Sequence, residues 1–318
     1  MDQIITDFLC NLKLGELQTY RNLSIVPLFH SIAETIDYKL MNEALSEGII
    51  TITEINQSGS VPQLKVINTS PLPILLFDGE ELIGAKQNRV LNTSILLKGN
   101  SETVIPVSCT EHGRWRFTSR RFMDADTIMS QRVRVNKMRT VTRSLHSDRG
   151  YSSDQGRVWS DIEDLHREAG TSSPTRAMHD VFKFREPDIK EYGESFDLYP
   201  HQKGIFVFIN GVSVGFDVIS NEKAYKKLHM KLVKSYAMDS ILHINNHFDD
   251  PSVAKVDLFF REVLECKESR FDSVGLGYDY RFEGKSVIGS ALVYEKSVHH
   301  LACFQADKGE STLRPRPF

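Results

Sequence analysis

Residues 78–115 read DGEELIGAKQNRVLNTSILLKGNSETVIPVSCTEHGRW. Glu80, Glu81, Lys86, Gln87, Asn88, Arg89 and Asn92 crowd into the first part of this stretch. Apolar, strand-like runs flank them: PILLF before, VLNTSILL and TVIPVSC after. Polar groups held between buried strands are costly unless they pair with one another or with a ligand. Lys86 and Arg89 carry charge suited to phosphate. Gln87, Asn88 and Asn92 carry donors and acceptors suited to sugar hydroxyls and base edges. A carboxylate beside those cations stays ionised. It could anchor ribose, coordinate a metal or act as a general base. Adjacent strand residues face opposite sides, so at most one of Glu80 and Glu81 enters a shared cleft. Gly84 lets Glu81 cross a tight turn and rejoin the Lys86 cluster. The alternative is an internal ion-pair network fixing a hairpin, with Asp78-Gly79 and Gly84 as turn residues.

Further candidates lie downstream. Cys109 is followed by Glu111 and His112, a setting in which a thiolate could be activated. The alternative is an inert thiol ending a buried strand. Arg114-Trp115 can bind phosphate and stack on a ring, or can be a surface arginine beside a packed indole. Gln155 and Trp159 are four apart and share one face of a helix. His299 and His300 are strand neighbours pointing opposite ways, so they make no joint metal site. GLG at 275–277 has no helical pattern after it. There is no P-loop, HExxH or GxSxG.

The elements that must position these residues begin with a helix over 1–22, ended by Gly15. SIVPLFHS is a strand, and Asp37 caps a short helix ending at Gly48. IITITEI, QLKVIN, PILLF, VLNTSILL and TVIPVSC follow as short strands, as in an antiparallel sandwich. Residues 114–149 hold many arginines against few acids. They form either a solvated strand-and-loop surface or an anion-binding face. Their aromatic content is thin for a single-strand stacking platform. From 151 the pattern is helical, with Ser152 and Gln155 as a capping box and Gly170 as the stop. GIFVFINGVSVGFDVIS is a hairpin with Asn210-Gly211 at its tip. Helices follow at 221–243 and 252–266, then two strand pairs. The fold class is α+β: a β-rich, sandwich-like antiparallel N-terminal half packed with a mixed α+β C-terminal half. The expected divisions are 1–120, a basic connecting segment 121–150, a mixed region 151–306 and a disordered tail 307–318.

The 318 residues suffice for one large or two ordinary domains. A net charge of −3 argues neither for nor against nucleic acid. The acidic start is no secretory signal, and no apolar run approaches the roughly 18 residues of a membrane helix. Four scattered cysteines without CxxC point to no zinc site or disulfide framework and fit a reducing cytoplasm.

DGEELIGAKQNRVLNTSILL and VIPVSCTEHGRW resemble the signature of a known domain family. It is named for association with ADP-ribosylglycohydrolases and the rhodanese-phosphatase superfamily. The similarity runs from near residue 24 to about 304 and includes QGRVWSDI, SSPT, KGIFVFINGVSVGFDV, KLVKSYAMDS, VGLGYDYRF and VHHLACF. The motif positions are Glu80, Glu81, Lys86, Gln87, Asn88, Arg89, Asn92, Cys109, Glu111, Gly113, Arg114 and Trp115. The 114–149 stretch departs from the family pattern in length and basicity, which bears on partner choice. The resemblance implies recognition or processing of an NAD-derived, ADP-ribose-type nucleotide, in stress or antiphage defence. On an enzyme reading, a hydrolase or transferase, Glu80, Glu81, Cys109 and Glu111 are the catalytic candidates. Lys86, Gln87, Asn88, Arg89, Asn92, Arg114, Trp115, Gln155 and Trp159 are the ligand-binding candidates. The rivals are a non-catalytic nucleotide sensor and a nucleic-acid binder acting through 114–149. A small-molecule nucleotide is the favoured partner; no cofactor or oligomeric state is indicated. Arg89→Ala is expected to remove function with little loss of stability.

Overall fold

The computed structural model describes residues 1–31, 36–56, 60–244 and 249–306; the tail expected to be disordered lies outside them. In chain order the N-terminal elements are α1 (Gln3–Cys10), β1 (Lys13–Leu14), β2 (Gln18–Tyr20), β3 (Leu23–Phe29), β4 (Lys39–Leu40), α2 (Met41–Ser46), β5 (Ile50–Glu54), β6 (Gln63–Asn68) and β7 (Ile74–Leu76). Then come β8 (Glu80–Gly84), β9 (Arg89–Leu91), β10 (Ile95–Leu97), β11 (Ser101–Cys109), β12 (Phe122–Ile128), α3 (Gln131–His146), α4 (Gln155–Ala169), α5 (Met178–Phe184) and α6 (Glu186–Glu194). The chain continues with β13 (Gln202–Ile209), β14 (Val212–Ile219), α7 (Glu222–Leu242), α8 (Val253–Leu264), β15 (Lys267–Asp272), β16 (Tyr278–Glu283), β17 (Val287–Tyr294) and β18 (Ser297–Gln305).

The fold is α+β, as the strand and helix patterns require. Its largest sheet runs β1-β3-β13-β14-β18-β17-β16-β15, with β2 also on β3. Thus β3, from the N-terminal third, lies beside the C-terminal hairpin, Leu23 opposite Ile209. Successive side chains of β13 alternate faces. Ile205, Val207 and Ile209 pack with Tyr225, Leu228 and Leu232 of α7, while Phe206 and Phe208 pack with α1 and α8. Burial on both faces explains why GIFVFI is apolar throughout. Asn210 and Gly211 both adopt positive φ at the hairpin tip, as a type I′ turn demands.

The sheet that carries the 78–115 stretch is six-stranded, in order β12-β8-β9-β11-β6-β5. It curls into a half-barrel, its edges β12 and β5 coming together. Ile52, Leu64, Val66, Leu82, Leu91, Ile105 and Val107 share one buried cluster in its concavity. Val90 joins a different cluster, with Val158, Ile162, Leu165 and Ala169 of α4. A small sheet, β10-β7-β4, completes the set; its β4–β7 pair is parallel.

Several local expectations change. The first helix stops at Cys10, because 13–14 and 18–20 pair with β3 instead. Leu40 rather than Asp37 precedes α2, and Glu43 accepts the Leu40 N–H at 3.1 Å. VLNTSILL divides into β9 and β10. At the corner, Asn92 donates to the Tyr151 carbonyl, Thr93 to Asp279, and Ser94 meets His300. Asp154, not Ser152, caps α4 by accepting the Arg157 N–H. The expected basic connector 121–150 is strand β12 and helix α3. Within it Arg134 and Lys137 are buried in ion pairs, while Arg121, Arg143 and Arg149 are exposed.

Candidate functional site

Strand register decides which motif side chains meet. Leu82 lies opposite Arg89, and Arg89 opposite Cys109, so all three share the concave face. Along β5 the buried positions alternate as Ile50, Ile52 and Glu54, which brings Glu54 to the same end of the half-barrel. Arg89 Nη2 lies 3.7 Å from Glu54 Oε1, both side chains being buried. Arg89 Nη1 donates to the carbonyls of Gln87 (3.1 Å) and Asn88 (3.3 Å) and to Gln87 Oε1 (3.3 Å). Arg89 Nε and Nη2 and both Glu54 oxygens have no hydrogen-bond partner. Over this pair stand Trp115, its ring 6.0 Å from the Arg89 guanidinium, and Lys86, 5.1 Å from the rings of Trp115 and Phe117. Trp115 and Phe117 are 48% and 50% exposed.

The remaining motif residues build the frame. Cys109 Sγ donates to Gln87 Oε1 and to the Glu111 carbonyl, each at 3.2 Å. Burial pushes its thiol up, against the pull of Arg89. Gln155 clamps the strand end, its amide bonded to both the N–H (2.7 Å) and carbonyl (2.9 Å) of Cys109. Glu111 accepts from Arg114 Nε (2.8 Å), Arg114 Nη2 (2.6 Å) and the Asn88 N–H (3.1 Å). Burial penalises its charge, but these bonds, Arg114 foremost, hold it below the usual carboxylate range. Arg114 also donates to the carbonyls of Ala85, Arg116 and Gly84 and to Asn88 Oδ1. Every nitrogen of its guanidinium therefore has a protein acceptor. Asn92 is turned away from the mouth, accepting from Ser108 at 2.5 Å. Trp159 packs on His112, ring centroids 4.2 Å apart, and lines a separate cleft of about 230 Å³ with Ser160, Glu163 and Arg176.

The profile of the ARG and Rhodanese-Phosphatase-superfamily-associated Protein domain, ARPP-1, matches residues 11–304. The chain belongs to the ARPP-1 family. No curated protein and no solved structure matches it. In this ARPP-1 domain the mouth residues, from Glu54 to Phe117, all lie inside the match. Among the described residues, no helix is long and apolar enough to cross a membrane.

The two adjacent acids of the ARPP-1 motif part company. Glu81 lies opposite Val90, on the face away from Arg89. It accepts from Thr110 at 2.8 Å, and His179 Nδ1 stands 3.6 Å away. Burial pushes its carboxyl up, with His179 and Thr110 opposing. Glu80 accepts from the Phe77 N–H and from Lys231, both at 3.0 Å, and Lys231 also donates to Asp124. Glu81 therefore does not rejoin the Lys86 cluster, and Arg89's carboxylate neighbour is Glu54.

Glu54 and His179 escape motif reading. Glu54 leaves one trace, a charged residue at an inward phase of the alternating strand ITITE. His179 leaves none. A buried network on α3 was equally hidden. Lys137 donates to Asp78 and to the Leu91 carbonyl, and Arg134 grips Asp217 with two bonds of 2.9 and 2.7 Å. Tyr236 and His300 also meet Asp217, at 2.7 and 3.1 Å. Burial brings Lys137 down to about 8 against the attraction of Asp78. Burial opposes ionisation of Asp217, but Arg134 and His300 hold it far below the usual range. This network joins α3 to both the half-barrel and the large sheet.

Proposed function

We propose that the mouth of the half-barrel recognises an ADP-ribose-type nucleotide. The observation that carries the proposal is the buried Arg89–Glu54 pair, whose facing donors and acceptors lack hydrogen bonds. Each such group costs about 1–3 kcal/mol when left unmet. Convergent polar groups in a barrel mouth are what a ligand site supplies. Arg89 Nε and Nη2 form a planar fork for a phosphate. Glu54 offers two acceptors for the vicinal hydroxyls of a ribose. Trp115 offers an indole face for an adenine, with Lys86 beside it as a second cation. Anion, diol and flat ring together describe a nucleotide. The family's association with ADP-ribosylglycohydrolases selects ADP-ribose within that class.

Recognition without turnover is the form the geometry supports. Glu111 is engaged by Arg114, Glu81 faces the opposite side, and the Cys109 thiol is protonated by burial. Calorimetry with ADP-ribose, AMP and pyrophosphate, with chromatography of the mixtures, tests this. ADP-ribose binds tightest and is recovered intact. Arg89→Lys weakens all three ligands by tenfold or more. Glu54→Gln weakens ADP-ribose and AMP but not pyrophosphate. Failure of all three to bind below about millimolar refutes the proposal.

A further inference from the structure

We infer that the loop at residues 115–121 is a landing platform for single-stranded nucleic acid whose terminal nucleotide enters the half-barrel mouth. The second clause rests on the nucleotide reading above; the first stands on the loop itself. The loop has no regular secondary structure yet is pinned along its length. Arg114 bonds the Ala85 and Arg116 carbonyls, and the Thr118 N–H donates to the Ala85 carbonyl at 2.9 Å. Ser119 Oγ accepts from the Ala85 N–H at 3.0 Å and donates to the Arg121 carbonyl at 2.6 Å. Gly84 makes the approach possible: at φ +125°, an added Cβ would stand 2.8 Å from the Arg121 carbonyl oxygen.

A loop fixed so thoroughly could bury its large side chains, and it does not. Trp115, Phe117 and, just beyond, Met123 stay half-exposed or more, and Arg116, Arg120 and Arg121 are exposed. Among the described residues no ion pair joins these three arginines to an acid. Nearby acids already have cations of their own: Glu111 has Arg114, Asp124 shares Lys231 with Glu80, and Asp126 has Lys234. The loop therefore presents unshielded positive charge interleaved with two rings. One free nucleotide has one base and occupies one ring. Two exposed rings and three further cations match successive bases and phosphates of a single strand. A duplex hides its base faces, so it cannot use the rings.

The test uses the full chain and a fluorescein-labelled single-stranded 12-mer of uridylate, followed by anisotropy across a salt series. Affinity falls with salt at a log–log slope of about −2, as roughly three neutralised phosphates require. Phe117→Ala weakens binding by roughly 5- to 150-fold, the loss of one stacked base. The triple variant Arg116→Gln, Arg120→Gln, Arg121→Gln flattens the salt slope and leaves ADP-ribose affinity unchanged. Saturating ADP-ribose shifts the oligonucleotide to weaker binding. Equal affinity for a matched duplex, or a triple variant with wild-type slope, overturns the platform. ADP-ribose binding with no oligonucleotide binding also overturns it and leaves the mouth reading standing. Oligonucleotide binding with no ADP-ribose binding supports the platform and sinks the mouth reading.

Discussion

Replacing Arg89 with Met strips a buried carboxylate of its counter-ion. At 3.7 Å and an effective permittivity near 20, the attraction between Arg89 and Glu54 is about 4.5 kcal/mol. Removing one partner of a buried pair costs on the order of 3–5 kcal/mol, because the other charge stays buried alone. Arg89→Met therefore destabilises the fold by about that much. This replaces the sequence-based expectation of a functional loss with stability intact. Adding Glu54→Met removes the orphaned charge. The double variant recovers most of the loss, ending within roughly 1–2 kcal/mol of wild type, since the Gln87 and Asn88 carbonyls still miss the Arg89 donor. Urea unfolding with unchanged m-values measures all three proteins. Both variants lose ADP-ribose binding. A double variant as unstable as Arg89→Met would refute the reasoning. It would mean that the carbonyl bonds, not the facing carboxylate, explain why Arg89 is there.

Other outcomes follow from single contacts. His229 is buried against the Tyr225 hydroxyl at 2.8 Å, and burial brings it from 6.5 to about 4. The unfolded chain thus binds the extra proton between those values, so stability present above pH 6.5 is lost as pH falls toward 4. The loss is about 3 kcal/mol. In His229→Gln that part of the acid limb of a stability–pH curve is flat. Asp217→Asn leaves Arg134 without its bidentate partner and costs on the order of 3–5 kcal/mol by denaturant titration. Gly84→Ala must relieve both a positive φ and the Arg121 carbonyl, and lowers the melting temperature even though Gly84 is no ligand. Cys109 resists iodoacetamide in the folded protein and reacts after unfolding, because burial keeps it a thiol.

Periodicity made much of the fold legible. The alternation of GIFVFINGVSVGFDVIS marks the hairpin, and Val158, Ile162, Leu165 and Ala169 mark the buried face of α4. What it could not show is which strand pairs with which. The partnership of β3 with β13 joins residues far apart in the chain, and nothing local encodes it. The same limit hid the site. The clustering of Lys86, Gln87 and Arg89 was visible, but Glu54 comes from a distant strand through barrel curvature. Arg134 and Lys137 show the converse failure. Basic residues in a polar-looking segment read as surface, and only the approach of Asp78 and Asp217 turns them into core. Spacing likewise could not reveal that the carbonyls of Ala85, Arg116 and Gly84 accept from Arg114.

The decisive measurement is a structure of the domain with ADP-ribose bound. In it, diphosphate oxygens lie within about 3.2 Å of Arg89 Nε and Nη2, a ribose diol sits on Glu54, and the adenine stacks on Trp115. A ligand seated elsewhere, with the Arg89–Glu54 pair still facing only each other, would contradict it.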